Sequence, residues 1–307
     1  MSKNNPGISV KKRSIGMTNT MKDKVFNIII YGIATIMILL TLYPMYFILI
    51  ASISNPSDVA VGKVILFPSG FRLDGYKEVF AFSQLWVGYR NTIVYTILGT
   101  FVSLFVNIPA GFALSRKQLP GRSWIQFFYM VPMFIGGGLI PTYMILQKFN
   151  LIDNPLVMIV PFSVSTYYIV VARTFFNSSI PEELWDSAQI DGCGSLRYFM
   201  RIVLPLSTAI LAVIGLWTAV AQWNSYFNAL VYLRDENLVT LQLVVRNILI
   251  NNKASLSAGG TAVAEAQQKA DLIKYAVIVI TAAPIMCLYP LVQKYFNQGV
   301  MLGAVKG

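Results

Sequence analysis

The sequence has no histidine, two cysteines and few charges: only 12% of its 307 residues are Asp, Glu, Lys or Arg. Lack of histidine removes imidazole acid–base chemistry, histidine metal sites and Ser–His–Asp triads. Cys193 and Cys287 lie far apart with no CxxC pattern. They indicate neither a zinc site nor a disulfide framework and read as small apolar fillers. No GxxxxGK[ST] run is present, so the chain lacks the P-loop route to ATP. What remains is apolar. Hydrophobic residues make up 56% of the chain, and the mean hydropathy is +0.61. A soluble globule could not cover that much apolar surface with so few charges, whereas a bilayer is itself an apolar solvent.

The formal charge is +11 and the pI about 9.6. Such an excess suits nucleic acid, but Lys and Arg also gather on the cytoplasmic side of membrane proteins. The second reading explains the charge with no nucleic-acid partner. Runs with few or no charges place six spans at about 25–53, 91–115, 123–147, 154–173, 205–230 and 273–294. Each approaches or exceeds the roughly 17–25 residues that cross a hydrocarbon core. The first is too long for the apolar region of a signal peptide and reads as a retained helix. The third contains Pro132, Gly136, Gly137, Gly138 and Pro141, which predicts a kink or a partly unwound stretch.

Six spans leave both termini on one side. With the termini inside, the inner segments carry 14 Lys/Arg against 5 Asp/Glu, and the outer segments 10 against 8. The positive-inside rule therefore puts both termini in the cytoplasm. Residues 1–24 form a basic tail beside anionic lipid, 25–296 the transmembrane domain, and 297–307 a cytoplasmic tail. Outside, Phe67-Pro68-Ser69-Gly70 and Asp74-Gly75 signal turns. Arg234 to Lys274 is long for a bundle connection, and its middle, Asn251 to Gln268, suits an adaptable contact surface.

The inner segment 178–205 holds the densest pattern. Ser179 followed by Glu182 predicts a capping box, with Pro181 in the first turn. Glu182, Glu183 and Asp186 suit the positive end of that helix. Ile180, Leu184 and Ala188 share one face, with Trp185 beside it. Asp191-Gly192 ends the helix, and a second one carrying Phe199, Ile202 and Val203 runs to Leu204-Pro205. A projecting helix pair with apolar faces packs either on its own protein or on a partner.

This segment resembles the EAA loop of ABC-importer permeases. Asp186-Ser187-Ala188 stands where that family has Glu-Ala-Ala, Gly192 is its hallmark glycine, and Ile202-Val203-Leu204-Pro205 follows. Asp for Glu keeps the charge on a shorter arm, and Ser for Ala keeps the small size. Phe67-Pro68, Asn91-Thr92, Pro109 to Arg116, Trp223-Asn224 and Gly303 to Gly307 are similar to MalG-like carbohydrate permeases. Ile190 to Cys193 and Gly136 to Pro141 resemble the LplC-type branch, associated with oligosaccharide or polysaccharide-fragment uptake.

The resemblance implies an all-α, six-helix type I importer permease forming half of a pore. It is not an enzyme and holds no cofactor, since ATP and magnesium belong to a partner ATPase. Its partners would be a second permease, an ATPase dimer, an extracytoplasmic sugar-binding protein and a carbohydrate. Glu182, Glu183, Asp186, Ser187, Ala188, Asp191, Gly192, Leu204 and Pro205 would couple to the ATPase, and the tail from Gly303 would reach toward it. Trp217, Gln222, Trp223, Asn224 and Asn228 form an aromatic and amide group in the fifth span. Such a group either faces an aqueous path and contacts sugar, or packs helices. Tyr143, Gln147, Tyr167 and Tyr168 are weaker pathway candidates, and Arg173 anchors the fourth span. Two alternatives stay open: a permease for a non-sugar solute, and a secondary transporter. The second would need ionisable groups at membrane depth, and the spans contain essentially none.

Overall fold

A computed structural model describes residues 21–254, 273–287 and 290. The basic tail to residue 20, residues 255–272 of the long outer segment and the C-terminal tail lie outside the described residues. Helices dominate, and no strand occurs among the described residues. The chain falls into two compact units, 1–48 and 49–307. The first is the body of α1 (Met21–Ser52), which carries no charge from Val25 onward. At about 1.5 Å per residue its length exceeds the hydrocarbon thickness.

In the second unit, α2 (Pro56–Ala60) and α3 (Asp74–Ala81) precede the central α4 (Ser83–Ser115). A charge-free run begins only after Arg90, yet α4 starts seven residues before that arginine. Next come α5 (Arg122–Phe134) and α6 (Leu139–Lys148), joined through Gly136–Gly138 and bent by 116°. Gly138 adopts φ +81° there. The fourth predicted span consists of a short α7 (Leu156–Ile159), a non-helical break and α8 (Thr166–Ser179). The loop helices α9 (Glu182–Ile190) and α10 (Ser195–Tyr198) follow. A π-helical turn, Phe199–Val203, then leads into α11 (Leu204–Leu206). After them come α12 (Thr208–Trp223), α13 (Phe227–Tyr232), α14 (Leu241–Ala254) and α15 (Ile273–Cys287). By length and composition α1 and α4 can each cross a membrane. So can two bent pairs, α5–α6 and the pair Ser195–Leu206 with α12, if each is one span.

Helix α4 organises the second unit because one stripe of it is small or polar. Gly88, Asn91, Thr92, Gly99, Ser103, Asn107 and Gly111 are buried along it. At Gly111 an added Cβ would stand 2.5 Å from the Ala172 Cβ, so α8 rests on bare backbone. Small residues permit such close approach where lipid supplies no hydrophobic drive for helix association. Asn91 donates to the carbonyls of Asn237 (2.7 Å) and Val239 (3.0 Å). The Thr92 hydroxyl accepts the Leu241 N–H at 2.8 Å. The pair Asn91-Thr92 thus fixes the start of α14.

That helix alters the reading of the outer segment. Leu241, Leu243, Val244 and Val245 are buried, so residues 241–250 are a packed apolar helix rather than an open loop. The rest of the expected contact surface lies almost wholly outside the described residues.

A second function of α4 is to satisfy the break between α7 and α8. Asn107 donates to the Ser163 carbonyl (3.0 Å) and to the Ser103 hydroxyl (2.8 Å). Its carbonyl oxygen accepts the Ser165 N–H at 3.1 Å. Ser103 and Thr218 share a hydrogen bond of 2.8 Å. Gln222 donates to the Met158 carbonyl (3.0 Å) and the Ser163 hydroxyl (3.1 Å). Non-helical backbone within a bilayer requires such partners, because lipid offers none.

Candidate functional site

The loop Ser179–Pro205 is built in three steps. Ile180 and Pro181 are extended (Pro181 ψ 145°), which ends α8 and aims the chain into α9. The predicted capping box does not form. Pro181 is the N-cap, Glu182 opens the helix, and no side-chain cap bond is present. Ser179 still belongs to α8, so its hydroxyl cannot sit at the helix entrance. Glu182 instead pairs with Lys117 at 2.9 Å.

Helix α9 stops at a left-handed glycine. Gly192 has φ +69°, its N–H bonds to the Gln189 carbonyl (3.0 Å), and the Cys193 N–H bonds to the Ala188 carbonyl (2.8 Å). This paired closure satisfies end carbonyls and suits glycine, whose αL conformation carries no Cβ penalty. Nothing stands within 4 Å of an added Cβ, so the demand at this position is conformational rather than steric.

The returning helix seats the loop on the bundle. Tyr198, Phe199 and Val203 are buried with Ala188, Ile180, Phe176, Ala172 and Ile108 in one apolar cluster. Trp185 meets Tyr198 edge-on, with centroids 4.9 Å apart. The Arg116 guanidinium lies 4.9 Å from the Trp185 ring centre and 5.7 Å from those of Tyr198 and Phe112. Cation–π contact of this kind joins the end of α4 to both loop helices. Leu184 departs from the expected face. It is 38% exposed, because Ile180 precedes the helix and Trp185 takes the inward position.

The other face is bare. Ile190, Leu196 and Met200 are 88%, 75% and 57% exposed, beside exposed Glu183, Asp186, Ser187, Asp191 and Gly192. Ser187 donates back to the Glu183 carbonyl at 2.9 Å. Leu204 packs on the cluster and Pro205 is exposed. Among the coupling candidates, Ala188 and Leu204 therefore hold the loop to the spans, Glu182 ties it to Lys117, and Glu183, Asp186, Ser187, Asp191, Gly192 and Pro205 are exposed.

The fifth-span candidates are dispersed. Gln222 and Trp223 are buried, their donors engaged by Met158, Ser163 and Thr281. Trp217 is half-buried against Tyr167 and Tyr168, at centroid distances of 5.8 and 6.0 Å. Asn224 is exposed and bonds its own helix at the Val220 carbonyl. Asn228 lines a recess of about 80 Å³ with Phe162, Tyr168, Thr218, Gln222 and Ser225. Tyr143 accepts from Arg234 at 3.0 Å, and Gln147 is exposed. Sequence reading missed Asn107, Ser163 and Thr218, whose only local signal was polarity inside apolar runs. No group of three or more potential metal ligands occurs among the described residues.

The described residues thus form a helical bundle with a helix pair fastened to one end, its free face apolar and acidic. Residues 84–302 match the family described as binding-protein-dependent transport system inner membrane component, and the chain belongs to that family. Its fold is that of a type I ABC-importer permease, a non-enzymatic transmembrane subunit. Such a subunit works with a partner permease, an ATPase and a binding protein. The chain is 34% identical over 290 residues to the polygalacturonan/rhamnogalacturonan transport system permease protein YtcP of Bacillus subtilis (strain 168), covering 94% of this chain and 100% of the relative. Protein LplC of the same organism is 34% identical over 295 residues, covering 95% and 98%. Among solved structures, a bacterial ABC transporter involved in importing the acidic polysaccharide alginate superposes with a TM-score of 0.82. It is 30% identical, over 90% of this chain and 98% of that one.

Proposed function

We propose that this chain forms half of the pore of an importer for oligosaccharides or polysaccharide fragments. It is driven through the loop Ser179–Pro205 by a separate ATPase dimer that binds the ATP and magnesium. The observation that carries the coupling reading is the two-sided loop. One side is fused to the spans through Ala188, Tyr198 and Val203. The other leaves Ile190, Leu196 and Met200 uncovered. Apolar side chains bared on a rigid projection suit a partner's cleft. Closure of the ATPase would move this rigid lever between two docked positions and open the spans outward.

The carbohydrate class rests on the transport systems for which YtcP and the alginate importer are named. In this reading six spans run with both termini in the cytoplasm. Trp217, Asn224 and Asn228 are the fifth-span side chains free to meet a solute, and the outer segment Arg234–Lys274 meets the binding protein. The test is ATP hydrolysis by the reconstituted transporter with its binding protein. Oligogalacturonide or another uronic oligosaccharide should stimulate hydrolysis, and an amino acid or short peptide should not. Stimulation by the peptide alone would replace the sugar reading with a non-sugar one. Orientation is tested separately: Ser69→Cys should react with an impermeant thiol reagent applied outside, and Ser195→Cys should not.

A further inference from the structure

The loop end of the bundle carries six cations among the described residues, and their partners are unequal. Lys117 pairs with Glu182. Arg116 spends its guanidinium on the faces of Phe112, Trp185 and Tyr198. Arg197 and Arg201 are exposed on the loop itself. Arg122 and Arg173 have neither kind of partner. Each is only half-exposed, each has a buried Nε without a hydrogen bond, and neither makes an ion pair among the described residues. Arg122 opens α5, and α5 packs against α8, the helix that carries Arg173. Two neighbouring guanidiniums without a carboxylate are unfavourable unless an anion joins them, and the planar fork fits phosphate.

The surroundings select the anion. Arg122 opens α5, whose N-cap Gly121 offers no side-chain bond and whose first turn contains no acid. The positive end of that helix therefore adds to the field. A recess of about 630 Å³ adjoins, lined by Ser115, Arg116, Lys117, Arg122, Asn177 and Ser178 with the two loop glutamates. Beyond Arg122 along α5, Trp124, Phe127 and Phe128 are 70%, 59% and 67% exposed. That apolar wall next to a cationic step suits a molecule with a phosphate head and acyl chains better than a free ion.

We propose that Arg122 and Arg173 bind the phosphate of an anionic phospholipid at the loop end of the bundle. The inference rests on the membrane placement above, in which this end lies at the inner interface. Close packing of α8 on Gly111, where the Arg173 N would stand 3.0 Å from an added Cβ, fixes the second arginine relative to α4. A bound headgroup would thus tie α5 and α8 together beside the coupling loop.

The test uses the complete detergent-purified transporter, titrated with phosphatidylglycerol, phosphatidylcholine or inorganic phosphate, and reads bound lipid by native mass spectrometry. Phosphatidylglycerol should be retained in preference to phosphatidylcholine. Arg122→Gln and Arg173→Gln should each weaken it roughly fivefold, and Arg122→Lys with Arg173→Lys should keep most of it. Arg246→Gln, at the opposite end, should change nothing. Unchanged phosphatidylglycerol retention in the double glutamine variant would overturn the proposal. So would equal competition by millimolar inorganic phosphate, which would mark a free-anion site. Loss of the ATPase from the double variant with lipid retention intact would assign the arginines to the ATPase instead. Thiol labelling at Ser195→Cys reports the orientation independently, so a wrong membrane placement is distinguishable from a wrong ligand.

Discussion

Ala188 and Asn107 are both buried, 5% and 0% exposed, yet they serve contrasting regions. Around Ala188 the loop is held by aromatic and aliphatic packing, and its free face is apolar and unsatisfied. Around Asn107 the bundle is held by hydrogen bonds between α4, the α7–α8 break and α12, and each bonding side chain has a partner. The first arrangement is a stiff arm with an open contact surface. The second is a closed joint that fixes where a non-helical stretch sits inside the bundle. Damage to the arm should therefore uncouple transport, and damage to the joint should unsettle assembly.

The sharpest way to break this contrast is Gly192→Val. A β-branched residue in the left-handed region costs about 1–2 kcal/mol, and relief would twist α10 away from its docked position. Substrate uptake should fall roughly tenfold or more, as that energy applied to the docked geometry implies. The amount of permease in the membrane should stay normal. Gly192→Asn, a residue that tolerates φ near +69°, should recover much of the uptake. Equal uptake in all three proteins would remove Gly192 from coupling.

Asn107→Leu should do the reverse. It strands the Ser165 N–H and the Ser163 carbonyl in a lipid-shielded break, at about 1–3 kcal/mol for each buried group. Measured intramembrane bonds fall at the low end of that range. Thermal unfolding of the purified transporter should shift down by about 2–4 °C or more, with membrane levels reduced. Whatever permease remains should still couple hydrolysis to uptake. A variant of normal stability that no longer transported would make Asn107 a pathway residue and dissolve the distinction.

The two regions were not equally legible in the sequence. The loop lies within 27 consecutive residues, so glycine, proline and helix spacing reveal it without knowledge of the fold. Even there, the capping box failed because Ser179 is claimed by the preceding helix. The joint was invisible because its partners are remote: Asn107 reaches Ser163 across 56 positions and Ser103 reaches Thr218 across 115. Gln222 and Trp223 read as candidates for sugar contact because amides and aromatics are scarce in spans. Their buried hydrogen bonds to Met158 and Thr281 follow only from packing. The break at Gly136–Gly138 was legible from composition, but its 116° bend was not.

The smallest predicted effect lies at the other end of the bundle, where Asp153 joins two loops. Asp153 adopts φ +59°, its N–H bonds to the Tyr232 carbonyl, and one carboxylate oxygen accepts the N–H groups of Arg234 and Asp235, both at 2.8 Å. Those backbone donors, Asp235 first, hold its carboxyl below the ordinary 3.8, with the Arg234 charge adding to them. A depressed folded pKa contributes stability that is present above the unfolded value and is lost as pH falls through the folded value. The contribution should therefore be intact at pH 7 and decline only below about pH 4, the ordinary range of a carboxylate. Because the group is exposed, the loss is small and screened by salt. Asp153→Asn keeps an acceptor oxygen and tolerance of positive φ, so it should unfold almost as the unmodified chain does at neutral pH. Below pH 4 its unfolding temperature should fall less steeply. Parallel acid profiles for the two proteins would show that the Asp153 charge does not secure this junction.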